Sequence, residues 1–129
     1  MKKVDLKELF DRQIDIQKMA FNKRLPEHSP ELISYFALGL MAEVGEVLQV
    51  DKSWKPFNAK EYNNLISDDA LIEELADCYL FLMNLTLACG FGAALITNAI
   101  KEKQQVVYKR IKAEKESKYG EDNCNWRHW

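Results

Sequence analysis

The chain has 129 residues, a formal net charge of −2 at pH 7, 47% hydrophobic residues and 29% charged residues. This length fits one domain with a single modest core, and the composition is that of a globular protein. An isoelectric point near 5.7 argues against a general nucleic-acid-binding surface, which would be basic. We therefore expect no nucleic-acid partner.

The cysteine content and the apolar stretches indicate the cellular setting. Three cysteines, odd in number and without the spacing of metal ligands, favour a reducing, cytoplasmic compartment over a secreted disulfide scaffold. The first residues lack the apolar segment of a signal peptide, so we expect none. The longest apolar stretches contain acidic residues, and we therefore expect no membrane partner.

Apolar residues recur at helical spacing in four stretches, and little in the sequence indicates strands. We predict helices over residues 6–23, 30–52, 70–88 and 93–118. At the start of the second helix, Ser29 suits the N-cap and Pro30 the first helical position. Residues 67–69 offer N-caps for the third helix, and Gly90 suits its C-terminal stop.

These elements predict an all-α fold, a four-helix antiparallel bundle. One domain is expected over residues 1–119, followed by an irregular tail over residues 120–129. The second and third helices are apolar on nearly every face, and a bundle of this size cannot easily bury both. We therefore expect a homodimer or homotetramer whose subunits associate through apolar helix faces.

Two acidic pairs interrupt the two most apolar stretches. Glu43 and Glu46 lie in the predicted second helix, and Glu74 and Asp77 lie in the third. The spacing within each pair places both carboxylates on one helix face. A single pair of this kind usually faces water, but two pairs on antiparallel neighbours would converge. Like charges brought together in apolar surroundings repel unless a cation neutralises them.

The ligand type narrows the choice of metal. Di-iron bundles combine glutamates with histidines, and zinc prefers histidine or cysteine. The two histidines, His28 and His128, lie in a predicted loop and in the tail. Carboxylate oxygens alone favour Mg²⁺, with Mn²⁺ as an alternative. We therefore predict a Mg²⁺ site at the four acids.

The acidic pairs also carry a family resemblance. Glu43-Val-Gly-Glu46, followed by Glu74-Leu-Ala-Asp77, resembles the E-x-x-E…E-x-x-D signature of the all-α nucleoside triphosphate pyrophosphohydrolases. That superfamily includes MazG-like proteins, the dCTPase group and the dimeric dUTPases. The opening helix and Lys52-Ser-Trp-Lys55 are similar to dimeric dUTPases, although related tryptophan–lysine patterns occur in the dCTPase group. The resemblance covers about residues 6–111.

The resemblance implies hydrolysis of a nucleoside triphosphate, with dUTP as the first candidate, to the monophosphate and pyrophosphate in sanitation of the nucleotide pool. The metal ligands would be Glu43, Glu46, Glu74 and Asp77, with Glu46 also the catalytic base that accepts the proton of the attacking water. The candidates for substrate binding are Trp54, Lys55, Asn98, Lys101 and Arg110.

Most substrate candidates also have a plain structural interpretation, which for Arg110 is a charged helix face in solvent. Trp54 is suited to contact a base and Lys55 a phosphate, or they are a packing residue and a solvated one. Asn98 is suited to bind base, sugar or metal-bound water, or to bond a neighbouring side chain. Asn84 is expected to be a buried hydrogen-bonding residue. Many relatives carry Asn-x-x-Arg where this chain has Val107-Tyr-Lys-Arg110, which removes the asparagine contact and weakens an exact substrate assignment.

Three alternatives remain open from the sequence. One is a broader nucleotidase, or one selective for dCTP or a modified nucleotide. Another is a non-catalytic regulatory module that binds metal or nucleotide. The third is a structural bundle with a hydrogen-bonded acidic core. Trp126 and Trp129 in the tail would cover a site or a neighbouring subunit, or be ordered by packing alone.

Overall fold

The computed structural model describes residues 2–55 and 67–117, and these residues contain four α-helices and no strand. The helices are α1 (Leu6–Phe21), α2 (Pro30–Val50), α3 (Asp68–Ala88) and α4 (Ala93–Glu116). The all-α class and the number of helices are as the sequence predicts. The predicted tail, residues 120–129, lies outside the described residues, and so do Trp126, His128 and Trp129.

Local capping explains where three helices begin. The Asp5 carboxylate accepts a hydrogen bond from the Glu8 backbone N–H at 2.8 Å. The hydroxyl of Ser29 accepts from the backbone of Leu32, with Pro30 at the first helical position as predicted. The hydroxyl of Ser67 caps α3 in the same way. The third helix therefore begins two residues earlier than its apolar pattern predicts.

Local backbone preferences also end the helices, and α1 and α2 stop two residues before their predicted ends. Asn22 adopts a left-handed conformation with φ 51°, which terminates α1. After α2, the carboxylate of Asp51 accepts from the Ser53 backbone N–H at 2.9 Å, which turns the chain. Gly90, with φ 91°, ends α3 in a Schellman motif, as the sequence suggests. Its N–H donates to Leu87, and the N–H of Phe91 donates to Thr86.

The chain divides into two compact units, residues 1–92 and a unit that begins at Ala93 and contains α4. In the first unit α2 and α3 pack antiparallel. The rings of Phe36 and Phe81 meet edge to face at 6.4 Å. Gly39 faces the same Phe81 ring so closely that a Cβ atom there would overlap it. Phe36 and Leu87 are the largest fully buried side chains of the described residues.

The first helix and the following loop complete the first unit. Phe21 of α1 packs edge to face on Phe36 at 5.7 Å. The backbone N–H groups of Glu27 and Ser29 donate to the carbonyls of Leu87 and Ala88, so the loop is tied to the end of α3. In the second unit, Val107 is the buried residue of α4.

The outer face of α2 remains apolar and exposed. Its exposed side chains are Leu38, Met41, Val44 and Leu48, with exposed fractions from 43% to 71%. Among the described residues, α2 alone has the length and mean hydropathy, 1.3, of a membrane span. This helix does not indicate a membrane protein, because the Glu43 side chain of α2 lies close to the carboxylates of Glu74 and Asp77 on α3.

Candidate metal centre

Three carboxylates from two helices converge in the first unit. Oxygen atoms of Glu43 on α2 and of Glu74 and Asp77 on α3 all lie within 4.8 Å of one another. The three side chains are partly exposed, so solvent reaches the group. The antiparallel packing of α2 on α3 produces this arrangement, because it sets the acidic pair of one helix opposite that of the other.

The electrostatic state of Glu74 reflects this crowding. Desolvation raises the pKa of the Glu74 carboxyl above its usual value, and the negative charges of Glu46, Asp77 and Glu43 raise it further. Desolvation also raises the pKa of the Cys78 thiol, with further contributions from Glu43 and Asp77. The site therefore carries more negative charge than its surroundings compensate, and a cation bound there would relieve the repulsion.

Glu46 stands at the edge of the group. It is exposed, and its carboxylate does not share the 4.8 Å cluster that the other three acids form. Glu46 lies one helical turn from Glu43 on α2, and its charge contributes to the raised pKa of Glu74. The structure thus brings three of the predicted metal ligands together, with the fourth beside them.

The donor set fits a hard divalent cation. Mg²⁺ prefers oxygen ligands, retains several waters, and is usually held by one or two carboxylates together with substrate phosphates. Glu43, Glu74 and Asp77 offer oxygen ligands on a partly exposed surface that leaves room for water. The same ligands suit Mn²⁺.

Trp54 and Lys55 contact each other just beyond the end of α2. The Trp54 indole N–H donates to the carbonyl of Leu48 at 3.0 Å, which folds the ring back onto the last turn of the helix. The ammonium of Lys55 lies 5.2 Å from the centre of the Trp54 ring, in a cation–π contact. Just over half of the Trp54 side chain, 54%, is exposed.

The remaining substrate candidates, Asn98, Lys101 and Arg110, lie at exposed positions on α4 in the second unit. Asn98 and Lys101 are one turn apart and share a side of the helix. Lys101 and Arg110 are separated by about two and a half turns, so their side chains leave opposite sides of α4. A single ligand on one side of this helix would therefore meet Lys101 or Arg110, but not both.

A buried polar cluster between α1 and α3 was only partly expected. Asn84 is buried, as predicted, and its Oδ1 accepts hydrogen bonds from Gln13 Nε2 and Gln17 Nε2, each at 2.7 Å. Gln17 Oε1 is buried and has no hydrogen-bond partner among the described residues. The sequence signal for this cluster is the spacing of Gln13 and Gln17, one turn apart among the apolar residues of α1.

Comparison with known proteins identifies the family. A family model described as dUTPase matches residues 5–123, which is nearly the whole chain. The chain therefore belongs to this dUTPase family, and the predicted membership of the all-α nucleotide pyrophosphohydrolases is confirmed. At the level of the family, this is a nucleotide hydrolase. No curated protein and no solved structure matches the chain.

Proposed function

We propose that the protein is a Mg²⁺-dependent pyrophosphohydrolase that cleaves dUTP to dUMP and pyrophosphate. The observation that carries this proposal is the convergence of Glu43, Glu74 and Asp77 from two helices in a member of the dUTPase family. Without a bound cation, this group of carboxylates would repel a polyphosphate, which is itself an anion. With a divalent cation bound, the same group attracts phosphate oxygens.

The acids have distinct roles in this proposal. Glu43, Glu74 and Asp77 would hold Mg²⁺, which when bound neutralises phosphate charge and makes a nearby water more acidic. Glu46, at the exposed edge, accepts a proton from the attacking water. The water oxygen then bonds to the α-phosphorus, the bond from that phosphorus to the α–β bridging oxygen breaks, and pyrophosphate leaves.

The substrate contacts are assigned by position. Trp54 supplies an aromatic surface for the base, and Lys55 a cation for phosphates. On α4, Asn98 and Lys101 share one side of the helix and stay the candidates for sugar or phosphate contacts, whereas Arg110 leaves the opposite side. Val107 is buried and apolar, so it does not replace the asparagine contact of related proteins.

The assembly and the compartment also belong to the proposal. The apolar outer face of α2 is suited to a homodimer or homotetramer, because monomeric proteins rarely expose a continuous apolar surface of this kind. A nucleotide substrate and unpaired thiols at Cys78 and Cys89 fit a cytoplasmic enzyme of nucleotide-pool sanitation.

The first experiment is a substrate panel with purified protein. dUTP, dCTP, dTTP, UTP and modified nucleotides are incubated with Mg²⁺, Mn²⁺ or chelator, and monophosphate and pyrophosphate are quantified. We expect release only with divalent metal and the highest kcat/KM for dUTP. Hydrolysis in ¹⁸O-labelled water identifies the bond, because attack at the α-phosphorus places the label in dUMP and attack at the β-phosphorus places it in pyrophosphate.

Matched variants separate metal binding from proton transfer. Glu43→Gln and Asp77→Asn should raise the Mg²⁺ concentration needed for half-maximal activity by about tenfold or more. Glu46→Gln should lower kcat at saturating Mg²⁺ by roughly 10²- to 10⁴-fold. Glu73→Gln changes the neighbouring acid on α3, which lies outside the cluster, and should leave both parameters near wild type.

The outcomes distinguish the alternatives. Nucleotide-dependent thermal stabilisation with Mg²⁺ but without turnover would identify a binding module. Comparable kcat/KM for several bases would identify a broader nucleotidase. If the isosteric amides stabilise the protein, and the wild type neither binds Mg²⁺ nor hydrolyses nucleotides, the acids are structural and the enzyme proposal is wrong.

A further inference from the structure

The segment that follows α2, described as far as Lys55, is a turn closed by hydrogen bonds and by contacts of the Trp54 ring. Asp51 accepts from the backbone of Ser53 at 2.9 Å, and the backbone N–H of Lys55 donates to the carbonyl of Lys52 at 3.0 Å. The Trp54 indole N–H is anchored to the helix at Leu48, and the Lys55 ammonium lies over the indole ring. The backbone of this turn is therefore fixed, while the Lys55 side chain retains a long flexible stem.

This anchoring determines how Trp54 can act on a ligand. The indole has a single donor, and Leu48 already accepts it. The ring therefore cannot read the edge of a base by hydrogen bonding, and its remaining capacity is contact through its π-face. The ammonium of Lys55, 5.2 Å from the ring centre, is positioned over such a face.

We propose that the Lys55 ammonium covers a face of the Trp54 ring in the free protein. When a nucleotide binds, its base displaces the ammonium from the ring, and the ammonium moves to the phosphates of the same nucleotide. This inference rests on the proposed function. It explains how Trp54 and Lys55 would link binding of the base to binding of the phosphates. Base binding and Lys55 then compete for one aromatic face.

The exchange is favourable only for a ligand that carries phosphates. Stacking on an aromatic side chain is available to every base, because every base has a π-face. A displaced ammonium loses its cation–π contact, but it gains charge-assisted hydrogen bonds when phosphate oxygens are near. A nucleoside offers no such oxygens. Lys55 therefore weakens the binding of nucleosides and strengthens the binding of nucleotides, so that the base contact and the phosphate contact reinforce each other.

The decisive variant is Lys55→Gln, which removes the cation while the turn keeps its backbone hydrogen bonds. Deoxyuridine binding is measured by NMR titration, and binding of a non-hydrolysable α,β-imido analogue of dUTP with Mg²⁺ by calorimetry. We expect deoxyuridine to bind about two- to fivefold more tightly, because its competitor is gone. The imido analogue should bind at least about tenfold more weakly, because a phosphate partner is lost.

Two controls make the opposite shifts interpretable. Lys52→Gln removes one positive charge from the same turn while Lys55 keeps its contact with the Trp54 ring, and should change neither affinity in this way. Trp54→Leu removes the face itself and should weaken both ligands. The inference is overturned if Lys55→Gln weakens both ligands in proportion, or if it leaves deoxyuridine binding unchanged. Wild-type turnover of dUTP with either of those results would leave the proposed function standing, whereas absence of both nucleotide binding and turnover would remove its basis.

Discussion

Gln13 and Asn84 join the first and third helices through a hydrogen bond of 2.7 Å between Nε2 and Oδ1. Both side chains are nearly fully buried, with exposed fractions of 5% and 6%. The same Oδ1 accepts from Gln17 Nε2 at 2.7 Å. One oxygen atom therefore satisfies two buried donors from α1, and Asn84 is the polar anchor between α1 and α3.

Replacing Asn84 should lower the stability of the folded protein, and Asn84→Leu is the direct test. Leucine has a similar volume but leaves both glutamine amides without their acceptor, at about 1–3 kcal/mol for each unsatisfied buried group. We expect the free energy of unfolding to fall by roughly 2–6 kcal/mol, measured by urea denaturation.

Two further variants control this measurement. Asn98→Leu makes the same change at an exposed helical position and should be neutral or slightly stabilising. Gln17→Met removes one donor together with the unpartnered Oε1 atom, so it should cost less than Asn84→Leu. An Asn84→Leu protein as stable as wild type would show that the amide cluster contributes nothing to the packing of α1.

Gly39 and Gly45 provide a matched pair on α2. A Cβ atom at residue 39 would overlap the ring of Phe81, whereas a Cβ at residue 45 meets no atom within 4 Å. Alanine in a helix is otherwise favoured over glycine by about 0.5–1 kcal/mol. Gly45→Ala should therefore stabilise the protein by about that amount, and Gly39→Ala should destabilise it by roughly 1–3 kcal/mol through overpacking.

The comparison of the two glycines is made by thermal and urea unfolding in the absence of ligand. Phe81→Leu in the Gly39→Ala background should recover part of the loss, because the smaller side chain gives the new methyl group room. Equal effects of the two alanine substitutions would contradict the close approach of α2 and α3 at Gly39.

Much of this fold follows from local sequence. Ser29 followed by Pro30, and Gly90 after α3, set helix ends through caps and backbone preferences that need no tertiary contact. The early ends of α1 and α2 were missed because the apolar pattern continues past them. The left-handed Asn22 and the side chain of Asp51, which bonds the following turn, override that pattern.

The acidic pairs of the site were also visible in the sequence, but their geometry was not. Helical spacing places Glu43 with Glu46 on one face, yet only the packing of α2 on α3 decides which of them joins Glu74 and Asp77. The amide cluster of α1 was harder to predict. Its partner, Asn84, lies far along the chain, and a hydrogen bond between helices leaves no periodic signal in sequence.

The raised pKa of Glu74 predicts how stability depends on pH. A carboxyl whose pKa is higher in the folded protein than in the unfolded chain binds its proton more tightly when folded. Its contribution to stability is therefore fully present below the unfolded pKa and is lost as pH rises through the raised folded pKa. Without divalent metal, the melting temperature of wild type relative to Glu74→Gln should fall as pH increases across this window.

Bound Mg²⁺ should oppose this fall in melting temperature with rising pH. Mg²⁺ bound to ionised carboxylates stabilises the folded state, so its addition should raise the wild-type Tm more at pH 7 than near pH 4. Glu73→Gln is the matched control. Glu73 lies beside Glu74 but outside the cluster, and its charge contributes least to the raised pKa of Glu74, so this variant should change the pH dependence much less than Glu74→Gln does. Differential scanning calorimetry with Mg²⁺ or chelator across this range provides the measurement, and a pH dependence of Tm unaltered in Glu74→Gln would contradict the assignment.

The exposed face of α2 predicts the site of self-association. Met41 lies in the middle of this face with an exposed fraction of 71%, flanked by Leu38 and Val44. A lysine placed at residue 41 would lose its hydration in an apolar interface, so Met41→Lys should raise the dissociation constant of the oligomer by at least about tenfold.

Met19→Lys, at an 80% exposed position of α1, introduces the same charge elsewhere on the surface and is the control. Sedimentation velocity over a concentration series should show dissociation for Met41→Lys at concentrations where wild type and Met19→Lys remain associated. Dissociation of both variants would place the interface across α1 as well, and association of Met41→Lys at wild-type strength would exclude the α2 face from it.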